Sequence, residues 1–349
     1  MQPAYLAYRQ AGRTGRLGGR NDNSHMRQNY DKIFLQSISD QYDNLGKIDR
    51  FFLYTSGYEN SNYYIRTREG QYVIKIFEGI EIKTENILFE LEAMDFSHKS
   101  GIKTPSVLKN SQGELATEVD GKYVCVMAFV DGDNMHKQPL SDSLAIEVAA
   151  ETAKMDQVLK HFKDGSKTRQ NYEWDLKCAL ILEKFVPLLP KDYDREIFKN
   201  VFAEYRKIKQ KFLKMPAGLI HNDIVPHNWL VKEGKLKCII DFSDMVFSPY
   251  IQNIAVALHL VAFAYNWNPG QAKLFIQKYS EINPLSGSEL KLLYTLIKAR
   301  MMSFIVEFNR WNVEYEVDQQ RVETVNDNYK FLKKFIDFGQ NRFDQLVGV

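Results

Sequence analysis

Two short apolar runs, Leu219-Ile220 and Trp229-Leu230-Val231, bracket the polar stretch His221-Asn222-Asp223-Ile224-Val225-Pro226-His227-Asn228, and a third, Cys238-Ile239-Ile240, runs into Asp241-Phe242. No other part of the chain restricts its folding so tightly. Runs of this length read as strands, with Glu233-Gly234 as the turn between two of them, so the polar stretch must be a loop clamped at both ends. An aspartate in such a loop can accept a hydrogen bond from an attacking hydroxyl. An asparagine five residues later can reach a magnesium ion from one side, and an aspartate after the next hairpin from the other. Asp223, Asn228 and Asp241 stand at those places. The plainer alternative is that Asp223 and Asn228 are turn residues beside Pro226, with Asp241 a strand-end cap.

The first half of the chain tips the balance. Tyr72-Val73-Ile74-Lys75-Ile76-Phe77 is an apolar strand with one lysine in its middle, and a lysine there is costly to bury without an anionic partner. Before it lies a turn of small and polar residues from Tyr54 to Asn62, then a strand and a Glu69-Gly70 hairpin. The backbone amides of 56 to 62 are placed to cover phosphates, which makes Ser56, Gly57 and Asn60 candidates, although the loop fits neither a Walker pattern nor a full GxGxxG. After the lysine, Thr84 opens a helix whose apolar side carries Ile87, Leu88, Leu91, Met94 and Phe96, and Gly101 ends it. Of its acids Glu85, Glu90 and Glu92, Glu90 is chosen as the partner of Lys75. The strand 122–130 then leads into Asp131-Gly132, and its end is a candidate hinge whose backbone reads a base edge.

With these parts in hand, the chain resembles the aminoglycoside phosphotransferase and choline kinase superfamily of small-molecule kinases, from about residue 50 to about 310. That resemblance implies that Lys75 holds the phosphates of ATP or GTP, Glu90 orients Lys75, and Ala128 and Val130 meet the base through their backbones. It further implies that Asp223 is catalytic and that Asn228 and Asp241 bind Mg2+. Gly101-Ile102-Lys103-Thr104-Pro105 looks like the loop that follows the glutamate helix in that superfamily. The segments 57–63 and 279–286 look most like the bacterial homoserine kinase branch, so the implied acceptor is an amino acid or amino alcohol such as homoserine. An aminoglycoside or a choline-type acceptor is the alternative. Two departures stand out: homoserine kinases of this kind often lack the strand lysine, and a second Asp-Leu-Ala step is replaced here by Asn253-Ile254-Ala255.

A strand-rich first part and a helix-rich second part predict an α+β, protein-kinase-like fold of two lobes, 28–130 and 131–349. Helices are expected at about 143–161, 175–187, 192–214, 270–281, 287–309 and 319–345, and the apolar run 251–265 reads as a buried helix. That run is too short to span a membrane and holds Gln252, Asn253 and His259. Residues 1–27 carry five arginines against one acid, and Ser24-His25-Met26 looks like a cloning junction, so this segment is expected to be a disordered or vector-derived tail. A net charge of +2 offers no broad field for nucleic acid or a membrane surface. Cys125, Cys178 and Cys238 lack CxxC spacing and read as thiols of a reducing compartment, which fits a cytoplasmic enzyme.

The acceptor must approach Asp223 from the helical side. Asp244, Arg300, Glu307, Arg310 and Trp311 are the candidates there. An arginine would suit a carboxylate and Glu307 an ammonium group, whereas Trp311 with Tyr315 or Trp267 would enclose a quaternary ammonium. For each of these residues taken singly, packing or surface charge is the better explanation. A protein kinase would need a long activation segment after Asp241, and none is visible. A non-catalytic nucleotide-binding module and a metal-dependent hydrolase remain the readings from other classes.

Overall fold

The structure is a computed structural model; it describes residues 28–54, 60–78, 84–135, 138, 140–162, 168–264, 267–314, 317 and 319–349. The basic segment 1–27, Ser56, Gly57 and Tyr315 lie outside the described residues.

The first lobe begins with helix α1 (Lys32–Ser39), which is N-capped by Asp31. Strands β1 (Arg50–Leu53), β2 (Asn60–Arg66), β3 (Gln71–Phe77), β4 (Thr117–Val119) and β5 (Lys122–Ala128) form an antiparallel sheet in the order β1-β2-β3-β5-β4. Side chains alternate across such a sheet. Tyr63, Ile65, Ile74, Ile76, Val124 and Val126 therefore pack on one face against Leu35 and Ile38 of α1, which sends Lys75 to the other. Helix α2 (Thr84–Lys99) lies between β3 and β4 in sequence and turns Phe89, Glu90 and Leu91 inward. Gly101 ends it with φ +85°, the left-handed conformation glycine adopts without strain, while Ile102 N–H returns to Ser97 O at 3.0 Å.

Past the hinge the chain enters the second lobe directly, because β6 (Asp133–Asn134) pairs with β8 (Trp229–Lys232), which pairs with β9 (Lys235–Ile239). The rest is mostly helical: α3 (Asp142–Leu159), α4 (Arg195–Phe212), α5 (Tyr250–Leu258), α6 (Pro269–Ile282), α7 (Gly287–Glu314), α8 (Gln319–Phe338) and α9 (Gln340–Val347). Two expectations are corrected. Residues Leu176–Leu188 wind as a 3-10 helix that ends at Leu188, one residue past Pro187. The last predicted helix is two, broken at Gly339 with φ +82°. The apolar run is α5 continued by π-helical turns over His259–Ala264, buried throughout. Among the described residues no helix is long and apolar enough to cross a membrane.

Lys103, just after α2, ties the lobes together. Its N–H donates to Glu151 of α3 (2.6 Å), its ammonium pairs with Glu147 (2.6 Å), and its carbonyl accepts from Ile239 N–H (2.8 Å). The position of the Glu90 helix is thereby linked to the strand that delivers Asp241. Behind the 221–228 loop, β7 (Ala217–Ile220) pairs with β10 (Val246–Pro249). A Cβ on Gly218 would lie 1.9 Å from the Tyr250 hydroxyl. Gly218→Ala should therefore lower stability by about 1–3 kcal/mol, read as a lower denaturant midpoint; an unchanged midpoint would mean that β7 and α5 part without penalty.

Candidate active site

The lysine of β3 reaches the acid of α2 as its burial demands: Lys75 Nζ is 2.6 Å from Glu90 Oε1, with both side chains buried. The same ammonium is 3.5 Å from Asp241 Oδ1. Burial disfavours a charged lysine, but Glu90 and Asp241 outweigh it and raise the Lys75 pKa, so Lys75 is cationic. Burial also pushes up the Asp241 carboxyl, yet Lys75, the Ser243 hydrogen bond and His221 hold it at about 2. Asp241 has φ +67°, which aspartate tolerates better than most residues.

A second group gathers on the 221–228 loop. Asn228 Nδ2 donates to Asp223 Oδ2 at 2.7 Å and to the Asp223 carbonyl at 3.1 Å. Its amide nitrogen is thus occupied, which leaves the carboxamide oxygen as the atom it can offer a cation. Arg300 of α7 brings Nη2 to 3.5 Å from Asp223 Oδ1. Burial alone would raise the Asp223 carboxyl, but His227, Arg300 and His221 lower it, so it is ionised. His221 is fully buried, which keeps its imidazole neutral. Its Nδ1 accepts from Asp223 N–H at 3.2 Å, so the proton belongs on Nε2, which donates to Ile240 O at 3.2 Å. Ile240 N–H in turn donates to Asn228 O at 2.9 Å. His221 is a brace between the loop and the residue before Asp241.

Asn222, whose backbone is left-handed (φ +65°), is held at its backbone N–H and at both side-chain polar atoms. Its N–H donates to Asn253 Oδ1 (3.1 Å), its amide nitrogen to Trp174 O (3.2 Å), and its oxygen accepts from Gln252 Nε2 (2.8 Å). Sequence reasoning singled out neither Asn222 nor Trp174. The signal available was Gln252 and Asn253 themselves, two amides in an otherwise apolar run.

At the hinge, Phe129 N–H donates to Gln71 O (3.1 Å) and Ala128 N–H to Ser106 O (3.0 Å), so what Ala128 can give a base is its carbonyl. Asn60 opens β2 and is buried, with Oδ1 unpartnered among the described residues. On the acceptor side the candidates separate. Asp244 hydrogen-bonds Tyr172. Glu307, Arg310 and Trp311 bind one another, with Arg310 Nε at 3.0 Å and Trp311 Nε1 at 2.8 Å from the Glu307 carboxylate. Trp311 packs against Trp174 and Phe308, while Trp267 packs against Phe263 and Phe338, so these two tryptophans line different places. Arg300, only 4% exposed and stacked on Trp174 at 4.9 Å, is the candidate that touches Asp223, and its Nε has no partner among the described residues.

Among the described residues no cluster of three His, Cys, Asp or Glu could hold a metal by itself. One ionised carboxylate and one carboxamide oxygen remain, a hard donor set that suits Mg2+ when phosphate oxygens complete the coordination.

Comparison with known proteins shows the family and the fold. Homoserine kinase of Methylobacillus flagellatus is 26% identical over 256 residues, covering 71% of this chain and 76% of that protein. Hydroxylysine kinase of Bos taurus is 22% identical over 283 residues, 76% of this chain and 75% of that one. In solved structures, an amicoumacin kinase bound to AMP-PNP and Ca2+ matches with a TM-score of 0.69 at 17% identity, covering 91% of this chain and 97% of its own. A microcompartment-associated aminopropanol kinase matches at 0.64 and 14%, covering 90% and 100%. These neighbours share the two-lobed, protein-kinase-like fold. The model of the phosphotransferase enzyme family matches residues 53–290, more than half of the chain. The protein therefore belongs to the phosphotransferase enzyme family and is a small-molecule kinase.

Proposed function

We propose that the protein transfers the γ-phosphate of ATP or GTP to the hydroxyl of a small amino acid or amino alcohol, with homoserine the best candidate. One observation carries this reading: Lys75, paired with Glu90, faces Asp241, while Asp223, tied to Asn228, faces Arg300. The nucleotide lies between the lobes, with its base at Ala128 and Val130 and its phosphates at Lys75 and Asn60; the candidates Ser56 and Gly57 lie outside the described residues. Asn228 and Asp241 would hold Mg2+, which would supply positive charge to offset that of the phosphates. Asp223 orients the acceptor hydroxyl and takes its proton late, since a loose phosphoryl-transfer transition state needs positioning more than a strong base.

Arg300 favours a carboxylate-bearing acceptor. A buried guanidinium whose Nε has no partner among the described residues, beside the catalytic aspartate, offers the planar fork that carboxylates fill. Hydroxy amino acids satisfy it; aminoglycosides do not. The named relatives that act on homoserine and hydroxylysine support the same class.

The test is ADP release from Mg·ATP with L-homoserine, hydroxylysine, ethanolamine, choline and an aminoglycoside as acceptors. Homoserine or hydroxylysine should respond most strongly. Arg300→Lys should lower kcat/KM for the amino acid about tenfold to a hundredfold relative to the matching amino alcohol, the range for losing a charge-assisted hydrogen bond. A response confined to aminoglycosides would overturn the acceptor class, and magnesium-independent hydrolysis without nucleotide would overturn the reaction.

A further inference from the structure

Asn253 can accept from the Asn222 N–H only through its oxygen, and an asparagine side chain is free to flip. What sets its orientation lies behind it. Asn253 Nδ2 donates to Asp156 Oδ1 of α3 at 2.9 Å. The other Asp156 oxygen accepts from the Tyr279 hydroxyl of α6 at 2.7 Å. That hydroxyl accepts from Asn283 Nδ2 at 2.8 Å, and Asn283 Oδ1 accepts from the Lys160 ammonium at 3.1 Å. Asp156, Asn253 and Tyr279 are wholly buried. Both neighbours of Asp156 are thus donors, and only the carboxylate form accepts from both at once. A protonated Asp156 would have to donate on one side. If that side were Asn253, its amide would turn and present nitrogen to the Asn222 N–H, leaving the catalytic loop without its acceptor.

We propose that Asp156 is a positioning residue for phosphoryl transfer: as a carboxylate it fixes the Asn253 amide, which seats Asn222 and so aims the neighbouring Asp223. The proposal goes beyond the acceptor assignment and rests only on the catalytic placement of Asp223. The groups that face Asp156 are Lys160 at the C-cap of its own helix, Tyr279 from α6, and Asn253 and Tyr250 from α5. Burial, partly offset by the Tyr279 and Asn253 hydrogen bonds and by Lys160, raises its pKa from 3.8 to about 7. The folded state therefore holds this proton more tightly than the unfolded chain. Its contribution to stability is present in full below about pH 4 and falls as pH rises towards 7. Activity should move the other way across the same window, since turnover needs the carboxylate. A group that acts only on stability would not oppose the two.

The experiment follows ADP formation from Mg·ATP with water or L-homoserine as acceptor, per mole of folded enzyme, from pH 5 to 9, with melting temperature measured in parallel. Wild-type kcat should rise towards pH 7 while the melting temperature falls. Asp156→Asn, which offers Asn253 an uncharged acceptor, should lose both pH slopes. Asn253→Asp places two carboxylates face to face and should lower kcat at least tenfold at pH 8. Adding Asp156→Asn to it moves the charge one link along the chain and should recover most of that loss. Failure of the double variant to recover kcat while its melting temperature recovers would overturn the proposal, as would an Asp156→Asn profile that matches wild type. Asp223→Asn, run alongside, separates these outcomes from an error in the catalytic assignment.

Discussion

Asp223→Asn should lower kcat by about 10²–10⁴, the range for removing a positioned acid–base group, with the KM for nucleotide little changed. The asparagine keeps the size of the side chain, and its remaining oxygen can still accept from Asn228, which now bonds Asp223 Oδ2 at 2.7 Å. The other position becomes an amide nitrogen, unable to accept the acceptor's proton and facing the Arg300 guanidinium that lies 3.5 Å away in the native site. Lys75 and the hinge are untouched, so the nucleotide should bind as before. Arg300 loses its anion, so some stability is lost too, and kcat must be normalised to folded enzyme. Turnover within a few-fold of wild type would remove Asp223 from the catalytic role.

The second large effect is on folding. Lys75→Met leaves Glu90 with neither its 2.6 Å partner nor solvent, since the side chains of the pair are only 6% and 7% exposed. Stranding one member of a buried ion pair destabilises by about 3–5 kcal/mol, whereas replacing both members by apolar groups is often neutral. Lys75→Met should therefore lower the denaturant midpoint strongly. Lys75→Met/Glu90→Leu should recover much of that stability and none of the nucleotide-dependent activity. If the double variant is as unstable as the single one, the pair is a structural requirement of the lobe rather than a charged site held for the phosphates.

Local pattern accounts for much of this molecule. The apolar strand 72–77, the Glu69-Gly70 hairpin and the stop at Gly101 are short-range matters, decided by neighbours in the chain, and the structure follows them. The 3-10 turns of Leu176–Leu188 escaped because an apolar run near prolines reads alike for either helix. Gly339 escaped for another reason: an isolated glycine in a helical pattern is often tolerated, and only its φ of +82° marks the break.

The chain by itself determined how Asp223, Asn228 and Asp241 stand to one another, because a loop between two strands has few conformations and the three are spaced along one continuous stretch. It could not choose among the acceptor residues. Arg300, Glu307, Arg310 and Trp311 lie within twelve consecutive positions of one helix, where every spacing is equally compatible with packing. Tertiary packing separated them, turning Arg300 onto Asp223 and closing the other three on each other. The brace behind the loop was equally hidden. Asn222, Asn253, Asp156 and Tyr279 come from four distant segments, and a buried polar atom finds its partner only when the folded core leaves it no water.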